Sequence, residues 1–187
     1  MAHSVLHPIM KIMPHSTPAE ILASTFDELF QAHWERVNGI LFRLVGDADE
    51  SEDLALETFW RLHQQIQAKR APDNPGGWLY RVALNLGYNA LRAQRRRQAY
   101  EHAAGRQAFE GKLTDPGQIS EQEQQRRWVR QVLNELPERS AQLLVLRHSG
   151  LSYAEIAQAL QIATSSVGTL LARAEEMFAR RYRALVG

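Results

Sequence analysis

The chain has 187 residues, 44% of them hydrophobic, and a formal net charge of only +1, which allows one domain or two small ones and argues against a protein that holds DNA by bulk electrostatic attraction. It contains no cysteine, so disulfides and cysteine-ligated zinc are excluded and a reducing cytoplasm is the expected compartment. No apolar run approaches the roughly 18 residues of a membrane helix, and residues 1–14 do not resemble a secretory signal, so we expect no membrane insertion.

Charge is distributed unevenly along the chain. Residues 21–70 carry five basic and nine acidic side chains, whereas residues 71–113 carry seven basic and three acidic ones. The small net charge therefore conceals an acidic helical region beside a basic one. Among the histidines only His3 and His7 stand at helical spacing, which gives no basis for a metal site, and we expect no metal, no cofactor and no small-molecule substrate.

The first helical signals lie in residues 25–66. Thr25 and Glu28 have the spacing of a capping box, which predicts that a helix begins at Thr25 and that residues 1–24 form a disordered extension. Gly46 and Asp47 end this helix, and a second one begins near Asp49 or Ser51. Its apolar residues recur on one face, opposite a polar face that includes Asp53, Glu57 and Arg61.

A third helix follows a loop at residues 67–77 that is rich in proline and glycine. Asn74 and Pro75 suit the N-cap and the first position of a helix, which is predicted to run from Gly76 to Arg97. One face of this helix is apolar, and the opposite face carries a polar stripe with spacings of four, four, three and four residues. Arginine and asparagine suit phosphates and base edges, although an ordinary solvated face is the alternative interpretation. The stripe consists of Arg81, Asn85, Asn89, Arg92 and Arg96.

Residues 98–120 are polar, weakly periodic and dotted with glycine, which predicts a linker between two packed units. Helical periodicity returns from Glu121, and Pro137 can open a further helix. No strand-period run appears, so the predicted fold class is all-α, with two small helical domains joined by a flexible linker.

The most specific local pattern is a helix-turn-helix spacing at residues 151–174. Ser152 and Glu155 form a second capping box, and Thr164 can cap the following helix. That helix would present an exposed stripe to a major groove, whereas a helical hairpin that serves only as core is the alternative. Gln161 in the turn costs about 1 kcal/mol if it is left-handed, and Gly168 weakens the second helix by roughly the same amount. The stripe consists of Ser165, Ser166, Thr169 and Arg173.

Four stretches in this order resemble the extracytoplasmic-function (group four) sigma factors of bacterial RNA polymerase. They are residues 49–62 (DESEDLALETFWRL), 77–85 (GWLYRVALN), 136–139 (LPER) and 151–157 (LSYAEIA) with the helix that follows. The resemblance implies an alternative sigma factor that is not an enzyme and has no catalytic residue. Such a factor binds core RNA polymerase and promoter DNA, directs promoter recognition, DNA melting and transcription initiation, and is restrained by an anti-sigma factor.

The resemblance also implies a domain division and roles for individual residues. Region 2, a helical bundle, would span residues 25–97, the linker residues 98–120, and region 4, a helix-turn-helix domain, residues 121–187. The polymerase clamp would be bound by Asp53, Glu57 and Arg61. The minus-ten element would be contacted by Trp78, Arg81, Asn85, Asn89, Arg92, Arg95 and Arg96. The minus-thirty-five element would be contacted by Tyr153, Thr164, Ser165, Ser166, Thr169 and Arg173.

Two other functions remain as alternatives. A free-standing helix-turn-helix transcription regulator would bind duplex DNA as a dimer through a strongly basic recognition helix, but most arginines here fall in the first domain. An all-α hydrolase could hold a metal on Asp53 and Glu57, but no second acidic pair stands at matching spacing.

Overall fold

The structure is a computed structural model that describes residues 18–103 and 120–187. Within these ranges the chain forms seven α-helices and no strand, which confirms the all-α prediction. The helices are α1 (Pro18–Val45), α2 (Ala48–Gln67), α3 (Pro75–Ala103), α4 (Glu121–Glu135), α5 (Glu138–His148), α6 (Tyr153–Leu160) and α7 (Thr164–Val186).

Helices α1, α2 and α3 pack together as a bundle, here called the N-terminal unit. Aromatic rings of α1 and α2 meet at one end of its core, where the ring centroids of Phe30 and Phe59 lie 4.7 Å apart. Helix α3 approaches α1 closely at Gly87, since a Cβ there would stand 2.6 Å from Cδ1 of Leu44. A side chain at this position would therefore require the Leu44 side chain to move within the packed core.

Two predicted helix ends in this unit are wrong. Helix α1 begins at Pro18, not at Thr25, so residues 18–24 are helical rather than a disordered extension. Proline is favoured at the first helical position, and good helix formers follow it, so the later capping motif falls inside the helix. Helix α3 continues to Ala103, which makes residues 98–103 of the predicted linker helical. Residues 1–17 and 104–119 lie outside the described residues.

The other two helix starts in this unit each have a side-chain cap, and the cap of α3 is the one that the sequence predicts. Asp47 precedes α2 and accepts a hydrogen bond from the backbone N of Glu50 at 2.9 Å. Asn74 precedes α3 and accepts one from the backbone N of Gly77 at 2.8 Å, with Pro75 as the first helical residue. Each cap satisfies a backbone donor that the helix itself cannot.

Helices α4 to α7 form the second bundle, here called the C-terminal unit. Helix α7 packs along α4, α5 and α6 and buries Val167, Leu171 and Ala174. Ser120 caps α4 through its hydroxyl. Pro137 stands in the N-cap position of α5 without a side-chain hydrogen bond, so the helix begins at Glu138, one residue later than predicted.

The two units are in contact within the described part of the chain. Helix α3 packs against α6, and α1 touches α5. Their buried apolar residues form one continuous cluster. The two predicted domains are therefore docked on each other in this structure.

One buried polar group ties α1 to α3. Tyr80 is fully buried, and its hydroxyl lies 2.8 Å from Nδ1 of His33 and accepts a hydrogen bond from Arg36 at 3.3 Å. Burial, followed by the charge of Arg36, lowers the pKa of His33, which keeps the imidazole neutral and able to accept from the hydroxyl. Tyr80 is thus a core residue rather than one available to stack on a base.

We predict that Tyr80→Phe lowers the free energy of unfolding by about 1–2 kcal/mol, because it leaves His33 and Arg36 without their shared partner. Tyr88→Phe on the same helix is the matched control. The Tyr88 hydroxyl is buried and has no hydrogen-bond partner among the described residues, so its removal should leave stability unchanged or raise it slightly. Urea titrations of both variants measure the difference, and equal losses would contradict the role given to Tyr80.

Candidate nucleic-acid and protein interfaces

The seven α3 residues assigned to the minus-ten element, here called the α3 stripe, fall into three groups. Asn85, Asn89 and Arg96 are exposed to solvent. Arg81 and Trp78 are half-buried, and Trp78 packs against the core. The Nε atom of Arg81 is buried and lacks a hydrogen-bond partner within the described ranges. The exposed group presents amide and guanidinium donors that can reach a nucleic acid without any rearrangement.

The remaining two members of the stripe contact the C-terminal unit. Arg92 pairs with the carboxylate of Glu138 at 3.2 Å and also donates to the side-chain oxygen of Asn89 at 2.8 Å. Arg95 donates to the backbone oxygen of Asn134 at 3.2 Å. These two arginines therefore donate hydrogen bonds to α4 and α5, and a phosphate group could otherwise accept those bonds.

The face of α2 assigned to polymerase is exposed, and two of its three charged residues pair with each other. Glu57 accepts a hydrogen bond from Arg61 at 2.8 Å, in an ion pair one helical turn long. Asp53 stands one turn before Glu57 and is exposed. An exposed ion pair of this kind contributes little to stability, so these charges remain available to a partner.

Two apolar residues on this same face were missed by the sequence reasoning. Leu56 is 49% exposed and Trp60 is 55% exposed, and the Trp60 ring stacks on His63 at 5.5 Å. Both residues lie off the apolar face formed by Ala55, Phe59 and Leu62. Their position off that face is the sequence signal that could have identified them as exposed. Large apolar side chains held in solvent beside charged ones are typical of a protein-binding surface.

The helix-turn-helix has the geometry that its spacing predicts, with one correction. Ser152 and Glu155 form a full capping box at the start of α6. Gln161 ends α6 in the left-handed region at φ 54° and ψ 49°. The predicted N-cap at Thr164 is wrong, because Ala163 occupies that position and Thr164 is the first residue of α7. The turn is one residue shorter than a threonine cap requires, so the hydroxyl of Thr164 is not the group that closes the helix.

The stripe assigned to the minus-thirty-five element lies along the outer side of α7. Ser165, Thr169 and Arg173 are exposed and Ser166 is half-buried, as an accessible helix face requires. Tyr153 is 44% exposed, with the guanidinium of Arg147 5.4 Å from its ring centroid. A Cβ on Gly168 would stand 3.5 Å from the Tyr153 ring, in ordinary contact. A side chain would therefore fit at position 168 without a clash, and the glycine leaves a shallow gap in this face.

A groove of about 940 Å³ runs between α1, α4, α5 and α7. Its floor is apolar, with Phe42, Val129 and Phe178 among the lining residues, and Arg126 and Arg130 stand along it. Burial, followed by the neighbouring charges of Arg127 and Arg126, lowers the pKa of Arg130. A cluster of like charges beside an apolar floor suits a partner that is acidic and amphipathic.

The described residues do not gather three or more histidine and carboxylate side chains into a possible metal site. The metal-hydrolase alternative consequently gains no support from Asp53 and Glu57, since Glu57 is paired with Arg61. In residues 18–103 and 120–187, no helix combines the length and the apolar character that crossing a membrane demands.

Comparison with sequence families gives two matches. Residues 29–97 match the family described as Sigma-70 region 2, and residues 126–177 match Sigma-70, region 4. The RNA polymerase sigma-H factor of Pseudomonas aeruginosa is 31% identical over 159 residues, which cover 81% of this chain and 82% of that protein. The ECF RNA polymerase sigma-E factor of Haemophilus influenzae is 28% identical, covering 86% of this chain and 89% of that one.

Solved structures share the fold. The sigma factor RpoE of Bartonella quintana, in complex with the anti-sigma factor NepR, superposes with a TM-score of 0.58 at 19% identity, over 86% of this chain and 98% of that one. CnrH in complex with the cytosolic domain of CnrY gives a TM-score of 0.61 at 20% identity, over 88% of this chain and 96% of that one. The arrangement of helices in this chain is thus shared with these two solved structures.

We predict that Gln161→Gly raises the free energy of unfolding by about 1 kcal/mol relative to Gln161→Ala, because glycine adopts the left-handed conformation without the steric cost of a Cβ. Thermal unfolding of the two variants and the parent measures this difference. The alanine variant controls for loss of the side chain. Equal stability of the glycine and alanine variants would mean that the turn is not strained.

Proposed function

Since this chain belongs to the sigma-70 family, as an extracytoplasmic-function sigma factor that directs transcription initiation by RNA polymerase, we propose which surfaces carry each part of that activity. The observation that carries the proposal is the division of the exposed functional groups between two helical units. The α2 face and the exposed part of the α3 stripe lie on the N-terminal unit, and the α7 stripe lies on the C-terminal unit. The free-standing regulator is not favoured, because both sigma regions match in order.

Helix α2 binds the polymerase clamp. The contact combines the charges of Asp53, Glu57 and Arg61 with the apolar surface of Leu56 and Trp60. A tryptophan that is half-exposed in the free protein loses much apolar surface on binding, and tryptophan is the residue type that most often dominates such interfaces. The neighbouring carboxylates set the orientation and the rate of association.

The α3 stripe binds the minus-ten element. Asn85, Asn89 and Arg96 are accessible in the free chain, and Arg92 and Arg95 join them when the C-terminal unit moves away. Arg81 lies half-buried on the same stripe. Trp78, at the start of the helix, lies next to the loop that receives an unpaired base of the opened strand. Unstacking a base costs a few kcal/mol, which polar contacts and stacking in such a pocket offset.

The C-terminal unit reads the minus-thirty-five element. The outer face of α7, with Ser165, Ser166, Thr169 and Arg173, enters the major groove, with Thr164 at its N-terminal end and Tyr153 beside it. Few of these side chains are charged, so the unit contributes orientation and modest affinity, and polymerase supplies the remainder of the binding free energy.

We place region 2 at residues 25–97, the linker at 98–120 and region 4 at 121–187, with α1 and α3 extending beyond the bounds of region 2. The family matches at residues 29–97 and 126–177 support this division. The chain acts in the cytoplasm with core polymerase and is not an enzyme, because polymerase performs the phosphoryl transfer. An acidic, amphipathic segment of an anti-sigma factor restrains it by filling the groove beside Arg126 and Arg130.

Co-purification with bacterial core RNA polymerase, followed by run-off transcription from genomic fragments, tests the assignment. Complex formation and new start sites that share two spaced elements are the expected result. A chain that binds duplex DNA tightly by itself and does not bind polymerase would favour the free-standing regulator instead.

We predict that Asp53→Lys weakens binding to core polymerase about tenfold, a loss of roughly 1.4 kcal/mol, while the free energy of unfolding changes by less than about 0.5 kcal/mol. Glu176→Lys is the matched control, since Glu176 is an exposed acidic residue on α7 and the change in net charge is the same. Polymerase binding is measured by fluorescence anisotropy. Equal effects of the two substitutions would remove Asp53 from the interface.

We predict that Asn85→Ala combined with Asn89→Ala reduces promoter opening about tenfold or more, because each amide pair with a base contributes roughly 1–3 kcal/mol. Polymerase binding should stay unchanged. Gln94→Ala is the control, since Gln94 is exposed on another side of the same helix. Permanganate footprinting measures the opened strand, and equal losses in opening and in polymerase binding would contradict the role of the stripe.

A further inference from the structure

Resting on the proposed function, the geometry points to a thymine-reading subsite on the C-terminal unit, in which the ring of Tyr153 and the gap at Gly168 receive the C5-methyl group of one thymine in the minus-thirty-five element. Three helices build this subsite. Arg147 comes from α5, Tyr153 from α6 and Gly168 from α7. The subsite specifies one base within the element assigned to the outer face of α7.

The ring of Tyr153 stands at the edge of the face that enters the major groove. Tyr153 is the first residue of α6 and is 44% exposed, although α6 packs on α7. Its ring is directed at Gly168, since Cε2 lies 3.5 Å from the position that a Cβ on this glycine would take. Ser165 and Thr169, which flank Gly168 along α7, are exposed. A large apolar ring therefore lies in solvent next to polar side chains that are accessible to DNA.

Arg147 holds the ring in this position. Its guanidinium lies over the ring of Tyr153, 5.4 Å from the centroid, and its Nη1 atom donates to the backbone oxygen of Leu151 at 3.3 Å. The ring quadrupole attracts the guanidinium, and the bond to Leu151 anchors it to the turn between α5 and α6. The ring therefore loses little conformational freedom when it contacts a ligand, which favours binding.

Gly168 provides the space beside the ring. A Cβ at this position would meet the ring at an ordinary van der Waals distance, so packing does not require glycine here. Glycine also stabilises a helix less than alanine does. A residue that weakens its helix without a steric reason is expected where function uses the space. An apolar group that approaches α7 at this point contacts the Tyr153 ring with no side chain of residue 168 in its way.

The chemistry of the gap selects thymine among the four bases. In the major groove thymine alone presents a methyl group, whereas the other bases present hydrogen-bonding groups. Apolar side chains, aromatic ones included, are the ones that contact this methyl group. Gly168 has no side-chain donor for guanine or adenine, and the guanidinium of Arg147 is engaged by the ring and by Leu151.

Burial of a single methyl group predicts a modest preference of measurable size. Its loss from such a contact weakens binding by about threefold to fourfold. Because the contact is apolar, it adds sequence specificity without the phosphate attraction that strengthens binding to all DNA. This suits an α7 stripe in which Arg173 is the one charged residue.

Uracil substitution tests the subsite, because uracil differs from thymine by the methyl group alone. Run-off transcription first maps the minus-thirty-five element, and each thymine on either strand is then replaced by uracil, one position at a time. Thymine and uracil promoters compete for one preparation of polymerase holoenzyme that contains this chain, and the ratio of the two complexes is measured. We expect the wild-type chain to prefer thymine by about threefold to fourfold at the position that the ring contacts.

Three variants assign this preference to the ring and the gap. Tyr153→Ala removes the ring and Gly168→Leu fills the gap, so each should bring the ratio at that position to about one. Tyr153→Phe keeps the ring and should retain the wild-type ratio. Tyr100→Ala is the matched control, since Tyr100 is 76% exposed on α3, and it should also retain the ratio. Both promoters compete for the same holoenzyme, so changes in polymerase affinity or in the amount of folded chain cancel.

Several outcomes would overturn the subsite. They are a mapped element without a thymine at a fixed position, a ratio near one at every thymine for the wild-type chain, and a preference that survives in Tyr153→Ala or in Gly168→Leu. Loss of the preference in Tyr153→Phe would also overturn it, because the hydroxyl group would then be responsible. Failure of the proposed function is distinct, since it shows earlier as a lack of polymerase binding or of mapped start sites, and it would remove the subsite together with the element.

Discussion

Helix α3 must bury one face against α1 while its arginines and asparagines stay outside the core, and the functional surfaces depend on this constraint. The tie that fixes it is the Tyr80 hydroxyl, which is held between His33 and Arg36 inside an otherwise apolar contact. Since a buried hydroxyl without partners is costly, this arrangement sets the rotation of α3 about its own axis. That rotation decides which polar residues face solvent and which face the second unit.

The same group of contacts connects stability with activity. Arg36 bridges the N-terminal core and the C-terminal unit, because it donates to Tyr80 and pairs with Glu155. Glu155 in turn caps α6 through Ser152. A change at the junction between the units is therefore transmitted to the start of the helix-turn-helix through short side-chain contacts.

The distribution of charge has a physical rationale. A sigma factor that acts on polymerase gains nothing from strong binding to DNA alone, because phosphate contacts are insensitive to sequence and hold a protein on non-specific sites. The near-zero net charge lowers this background. Pairing of Arg92 with Glu138 offsets one positive charge of the α3 stripe. Composition and tertiary structure thus act in the same direction.

The sequence alone determined the helical class, the capped starts of α3 and α6, and the position of the helix-turn-helix, because these depend on local periodicity and capping. It also indicated the family through the order of four short motifs. The early start of α1 and the late end of α3 escaped notice, because helix formers without a marked cap or break leave no sharp local signal. Only the tertiary structure decided that Leu56 and Trp60 stay exposed and that Arg92 and Arg95 face the C-terminal unit. These outcomes depend on how helices rotate and dock, which is set by contacts between residues far apart in the chain.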